Sequence, residues 1–305
     1  MSKKSKELIK DMSASVHARL LNNARLDKRP FNELLQYFAM ERFLYRLSKS
    51  THAKLFVLKG AMMLRVWKAS DIRPTMDIDL LGRTANEIQS IVDKVKEIIE
   101  VRVEPAGLSF DATSITGELI TEDADYEGVR INFEGSLGNA KIPMQIDIGF
   151  GDIIYPDPTN TELPVMLDFP NPTLLCYSRE SSIAEKLQAM IKLGEVNSRM
   201  KDFFDIWKLS RQFDFSGEII AEAVRLTLKH RHTEIPNEIV AFSERFMEVK
   251  QIQWTAFHKR INQPSVPSSF KEIVNQIEIF ITPISKAVTA NSKPPSVWKA
   301  PGPWK

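Results

Sequence analysis

Asp77 and Asp79, two residues apart in the stretch MDIDLL, are the side chains of this sequence best spaced to do chemistry. On a strand, residues i and i+2 project from one face, so the two carboxylates stand side by side while Ile78 and Leu80 turn toward a core. Neighbouring carboxylates repel and raise each other's pKa unless positive charge lies between them. A divalent metal supplies that charge; a solvated strand edge is the plainer alternative. The residues upstream favour the metal. A short, partly β-branched apolar run at 55–58 reads as a buried strand, and Lys59, Gly60 and Ala61 follow as a turn before the apolar segment MMLRVW. Such a turn offers free backbone N–H groups at a helix start, where phosphates bind.

Three further stretches carry candidate groups. Val129, Ile131 and Phe133 alternate with polar residues, 135–139 reads as a turn, and Ile142, Met144, Ile146 and Ile148 alternate back, which predicts a hairpin. Asp147 lies between Ile146 and Ile148 and faces away from the apolar set, either as a third carboxylate or as an exposed polar residue on a half-buried strand. Next, a helix beginning at SIAEKL carries Ile183, Leu187, Met190 and Ile191 as a buried stripe, with Lys186 beside that stripe. After Gly194, a helix beginning near 197 places Asp202 and Asp205, three apart, on one face. By spacing alone, Lys186 and these aspartates make either a salt bridge between packed helices or a lysine presented to a cleft.

The remaining elements are those that must position these groups. Residues 6–26 and 31–47 read as two packing helices split at Arg29 and Pro30. A helix is expected over 84–99, with Thr84 as N-cap and Glu87 completing a capping box. Short strands are expected at 108–110 and 115–120. Prolines 156, 158, 164, 170 and 172 exclude regular helix from 155–172, which reads as a connection. Helices follow at 216–229, 237–249, 255–261 and 268–281, packed through Phe242, Phe246, Trp254, Phe257 and Phe280. The expected division is an α/β domain over 1–155, a connecting segment over 156–175, a helical domain over 176–290 and a flexible tail over 291–305. The basic run Lys229, His230, Arg231 and His232 suits either RNA phosphates or a solvated loop.

Composition narrows the class. With 305 residues, 43% hydrophobic and 26% charged, the sequence is that of an ordinary globular protein. No apolar run approaches the roughly 20 residues of a membrane helix, so no membrane association is expected. The charged opening MSKKSKELIK predicts no secretory signal, and the single cysteine, Cys176, excludes an internal disulfide and fits a reducing cytoplasm. Without C-x-x-C or H-E-x-x-H, a structural zinc site is not expected. The net charge of +2 is nearly neutral, but the half beyond residue 181 is mildly basic and the rest mildly acidic, a distribution that suits a polyanionic substrate beside a metal site.

A strand, a glycine turn, a helix and then an acid–apolar–acid strand is similar to the pattern of the polymerase-β-like nucleotidyltransferase superfamily. Within it, KGAMMLRVW and RPTMDIDLL, with QIDIGFGD, AEKL and RMKDFFDI further on, resemble the AbiEii/AbiGii nucleotidyltransferase toxins of bacterial toxin–antitoxin and phage-defence systems, over roughly 56–209. Ala61 stands where those proteins have glycine or serine; it keeps the backbone N–H but brings no hydroxyl. The resemblance implies an α+β fold: a polymerase-β-like nucleotidyltransferase domain with a small mixed sheet, followed by an α-helical C-terminal domain. It implies transfer of a nucleoside monophosphate from an NTP to an acceptor hydroxyl, with release of pyrophosphate. Asp77, Asp79 and Asp147 would hold Mg²⁺ or Mn²⁺. Lys59, Gly60, Ala61, Lys186 and Asp205 would contact the nucleotide, and Asp202 would orient Lys186 or approach the acceptor. It further implies tRNA 3′ ends as acceptor, a block of translation, and a cognate winged-helix, AbiEi-like antitoxin. Two other readings stay open: transfer to a protein or small molecule, and a nucleotide-binding protein that keeps the fold without the chemistry.

Overall fold

The computed structural model describes residues 3–70, 73–122 and 126–305. It divides into two compact units, one of Met1–Lys68, Pro74–Gly151 and Thr159–Cys176, the other of Ala69–Arg73, Asp152–Pro158 and Tyr177–Lys305. In the first unit, α1 (Lys3–Leu26) and α2 (Phe31–Lys49) are separated at Pro30, which cannot continue a helix from its N-terminal side but suits the start of the next. Strand β1 (Phe56–Lys59) runs into a 3₁₀ turn, Gly60–Met62, and the single-turn helix α3 (Met63–Val66). There follow β2 (Ile78–Gly82), α4 (Ile88–Glu100), β3 (Leu108–Glu122), β4 (Tyr126–Leu137), β5 (Ala140–Phe150), β6 (Thr159–Glu162) and β7 (Thr173–Cys176).

These strands form one mixed sheet in the order β3-β4-β5-β2-β1-β7-β6. The pairs β2–β5 and β1–β7 are parallel and the other neighbours antiparallel. Helix α2 packs on β5 and α4 on β3. Beneath α2, the rings of Phe43, Phe110 and Phe133 meet at 5.5–6.4 Å in tilted and edge-on pairs, the geometry aromatic quadrupoles prefer. The segment after the Gly60 turn is fixed by charge. Arg65 on α3 makes a 2.7 Å ion pair with the fully buried Glu41 of α2 and donates to Pro164 O at 3.2 Å.

The second unit is mainly helical: α5 (Arg179–Leu193), α6 (Met200–Gln212), α7 (Gly217–His230), α8 (Glu244–Ile261) and α9 (Phe270–Thr289), with a two-stranded ribbon of β8 (Phe215–Ser216) and β9 (Val297–Trp298). Phe203, Phe246, Trp254 and Phe270 form its aromatic centre, with ring centroids 5.0–6.2 Å apart. No helix among the described residues is long and apolar enough to cross a membrane.

The fold class matches the expectation; several elements differ. The capping box at Thr84 and Glu87 does not form. Arg83 N–H donates to Leu55 O at 2.8 Å, prolonging the β1–β2 pairing, and α4 begins only at Ile88, without a side-chain cap. The expected short strands at 108–110 and 115–120 are one strand, β3, interrupted by a register shift between Asp111 and Thr116. The helices expected at 237–249 and 255–261 are one, α8, capped by Ser243, whose Oγ accepts from Phe246 N–H at 3.2 Å. Part of the proline-rich segment pairs into the sheet as β6, an edge strand that needs few ladder donors.

The largest difference is the C-terminus. The stretch expected as a flexible tail is packed: Trp298 is 2% exposed and its indole N–H donates to Ser210 O at 2.6 Å. Its ring meets Phe280 edge-on at 4.8 Å, and Trp304 stacks on the same phenylalanine at 5.5 Å. Gly302, at φ +108°, lets the chain cross the Trp298 ring, since a Cβ there would fall 2.3 Å from the indole. Trp298→Ala is therefore expected to cost about 3–5 kcal/mol in urea unfolding. An unpacked tail would change the unfolding free energy by less than about 0.5 kcal/mol.

Candidate active site

The acidic site grows from register. In β1–β2, Lys59 lies opposite Asp79; in β2–β5, Asp79 lies beside Asp147; in β4–β5, Asp147 lies opposite Arg130. Side chains paired this way share a face, so one row across four strands reads Arg130, Asp147, Asp79, Lys59. Asp77 stands just ahead of β2, two residues before Asp79. Oxygens of Asp77, Asp79 and Asp147 all lie within 4.8 Å of one another, and among the described residues no other group of three or more histidine, cysteine or acidic side chains gathers so closely. Ile78 and Leu80 are buried on the other face at 0% and 2% exposure.

Each carboxylate is oriented by a neighbour. Thr75 Oγ1 donates to Asp77 Oδ1, and Thr75 N–H is held by the Tyr37 hydroxyl at 3.2 Å. Asp79 rests against the glycine turn: at Gly60, φ +70°, a Cβ would stand 1.8 Å from Asp79 Oδ2. Glycine is required there twice over, by backbone conformation and by the approaching carboxylate. Ala61 is 4% exposed, so its methyl is taken up in the core. Asp147 is taken up by Arg130, whose Nε and Nη2 donate to its two oxygens at 2.8 Å each, with Gln145 Nε2 at 3.2 Å from both.

Three carboxylates with hard oxygen donors, converging from adjacent strands and partly open to solvent, fit a divalent cation of the magnesium or manganese type. Arg130 is the residue sequence reasoning missed. It already neutralises Asp147, so its removal leaves the row more negative. Arg130→Gln is expected to tighten Mn²⁺ binding by about tenfold, read by titration calorimetry on the substrate-free protein. Weaker binding would instead make Arg130 a support that orients Asp147 toward the metal.

The second expected group lies in the helical unit. Lys186 on α5 has its Nζ 3.9 Å from Asp202 and 3.5 Å from Asp205, both on α6. The aspartates are nearly fully buried, at 1% and 3% exposure. Each is held more closely by an arginine: Arg199 Nε donates to Asp202 at 2.6 Å, and Arg73 donates to both oxygens of Asp205 at 2.8 and 3.0 Å. Burial alone would raise the Asp205 pKa; Arg73 and Lys186 overcome it and hold the carboxyl below the usual range. The arrangement thus has three cations for two carboxylates, and Lys186 lies outside hydrogen-bond distance of either.

Two other residues with reactive or charged side chains lie in the interior. Arg231, from the basic run expected at RNA phosphates or in a solvated loop, is largely buried, donating to Asp152 at 2.6 Å and to Gln188 at 3.0 Å. Cys176 is buried on β7, and burial pushes its thiol up to about 12, which leaves it inert as a nucleophile.

Comparison with known proteins adds the family. The family model described as "Nucleotidyl transferase AbiEii toxin, Type IV TA system" matches residues 42–276. Among solved structures, JHP933 from Helicobacter pylori is similar at 13% identity, over 84% of this chain and 94% of that one, with a TM-score of 0.49. A second Helicobacter pylori structure, described as a candidate nucleotidyltransferase, is similar at 14% identity, over 85% and 97%, with a TM-score of 0.48. A search of curated proteins returned no match. The family match spans both the acidic row and the Lys186 group, and with it the chain belongs to the AbiEii nucleotidyltransferase toxins of type IV toxin–antitoxin systems.

Proposed function

We propose that this enzyme transfers a nucleoside monophosphate from an NTP to the 3′ hydroxyl of tRNA, using Mg²⁺ or Mn²⁺ held by Asp77, Asp79 and Asp147. The observation that carries this reading is the convergence of those carboxylates, oxygens within 4.8 Å of one another, beside a glycine turn. A cation bound there supplies charge neutralisation for the triphosphate and acidifies the acceptor hydroxyl. The rest falls to the chain's own residues. The backbone of the 60–62 turn and Lys59 cradle phosphates, and Thr75 fixes the Asp77 rotamer. Lys186, the surplus cation of its group, neutralises charge growing on the triphosphate, while Asp202 and Asp205 keep it extended. In the step itself the acceptor oxygen bonds to the α-phosphorus, and the bond to the bridging oxygen breaks. Pyrophosphate leaves with that electron pair, and the hydroxyl proton passes to solvent. Addition at a tRNA 3′ end blocks aminoacylation and hence translation in the cytoplasm. Membership of a toxin–antitoxin family supports control by a partner, which we assign to a winged-helix repressor.

The test incubates the purified protein with Mg²⁺, each α-labelled NTP in turn, and bulk tRNA. Label in tRNA is the expected result, and the labelled NTP that succeeds names the nucleotide. Label in protein would replace the acceptor, and no label with any NTP would overturn the reading.

A further inference from the structure

The helical unit holds a cavity of about 490 Å³ between the start of α6 and the outer face of α8, lined by Ser198, Arg199 and Lys201 on one side and by Gln253, Phe257 and Arg260 on the other. Three of these six side chains are cations, and no carboxylate is among the lining residues. Lys201 and Arg260 are exposed and form no ion pair among the described residues. The Arg260 guanidinium carbon instead lies over the Phe257 ring, 5.5 Å from its centroid, a contact that holds the cation without using its N–H donors.

The charge is placed where the fold itself disfavours it. Arg199 is the N-cap of α6 and, having no acceptor atom, makes no side-chain cap. The helix N-terminus carries the positive end of the macrodipole, and Arg199 and Lys201 add like charge to it. Asp202 in the first turn offsets one of them through its 2.6 Å contact with Arg199. The remaining excess is what an anion in the cavity would relieve.

We propose that this cavity binds a phosphodiester of the polynucleotide acceptor, between Lys201 and Arg260. The inference rests on reading the acceptor as RNA. A phosphate could also come from the NTP, but a metal–triphosphate needs carboxylates for its cation, and none lines this cavity. Arginine and lysine lining one cavity with no carboxylate among them suit a single phosphate held by forked donors.

The test compares the wild-type protein with Lys201→Gln/Arg260→Gln, using fluorescently labelled bulk tRNA over 50–300 mM KCl and, separately, ATP alone. Both side chains are exposed, so the fold is retained, and the charge-preserving Lys201→Arg/Arg260→Lys variant controls for shape. Loss of the one phosphate neutralised between these cations lowers the slope of log affinity against log salt by about 0.7–0.9. The expected result is that loss, with weaker tRNA binding, unchanged ATP affinity, and a wild-type slope in the charge-preserving variant. An unchanged slope while the wild type binds tRNA overturns this site and leaves the RNA acceptor standing. No tRNA binding by the wild type overturns the acceptor and the site together. Loss of ATP binding in the glutamine variant reassigns the cavity to the NTP and also overturns the proposal.

Discussion

Asp79→Asn is expected to abolish nucleotidyl transfer and to leave the fold intact. Asparagine has the shape of aspartate, so it fits against Gly60 and within the row of Lys59 and Asp147 without new contacts. What it removes is one of three charges whose oxygens lie within 4.8 Å of one another. Charge stabilisation by a metal site is worth several kcal/mol, so the rate should fall on the order of 10³-fold or more. Mn²⁺ affinity should fall with it. Thermal stability should hold or rise, because a carboxylate crowded by two others is relieved. Gly60→Ala should give the same loss of activity by a different route. Its Cβ would stand 1.8 Å from Asp79 Oδ2, so either the turn or the carboxylate must move. Transfer by Asp79→Asn within threefold of the wild-type rate would remove the acidic row from the chemistry.

Those carboxylates were legible because side chains alternate along strands with period two, a local property. The partner of Asp147 was not. A hairpin turn centred on residue 137 would place Asp147 opposite Glu127, whereas the observed turn at Gly138 and Asn139 places it opposite Arg130. A shift of little more than one residue in the turn therefore concealed the cation that holds the third carboxylate. The signal was present: Gly138 followed by Asn139, between Leu137 and Ala140, is the better two-residue loop. The Arg73–Asp205 pair, 132 residues apart in sequence, has no local signature at all. The C-terminus misled for a related reason. Its prolines and lysines resemble a linker, while its two buried-edge contacts, Trp298 to Ser210 and Trp304 to Phe280, depend on residues far back in the chain.

Lys186 and Asp205 stand together in sequence reasoning, yet their substitution should give opposite results. Lys186→Met removes a cation that lies 3.5 and 3.9 Å from its aspartates, each of which keeps a closer arginine. Its stability should change by no more than about 1 kcal/mol, because the methionine stem replaces the buried methylenes. Its rate should fall about 10²–10³-fold, the usual loss when one donor to a charged transition state is removed. Asp205→Ala leaves Arg73 and Lys186 facing each other in a buried site without their shared carboxylate. Breaking a buried pair from one side costs about 3–5 kcal/mol, visible as a lower urea midpoint, with activity lost as the fold is lost. The acid limb provides a separate check. The Asp205 carboxyl is held below its ordinary range, so its contribution is fully present above the unfolded aspartate pKa of about 3.9 and lost as pH falls through the lower folded value. The wild-type protein should therefore lose stability in that acid window, and Asp205→Asn should lose less over the same window. If Lys186→Met instead unfolds the protein while Asp205→Ala leaves it stable but inactive, the lysine is the structural member of the pair and the aspartate the catalytic one.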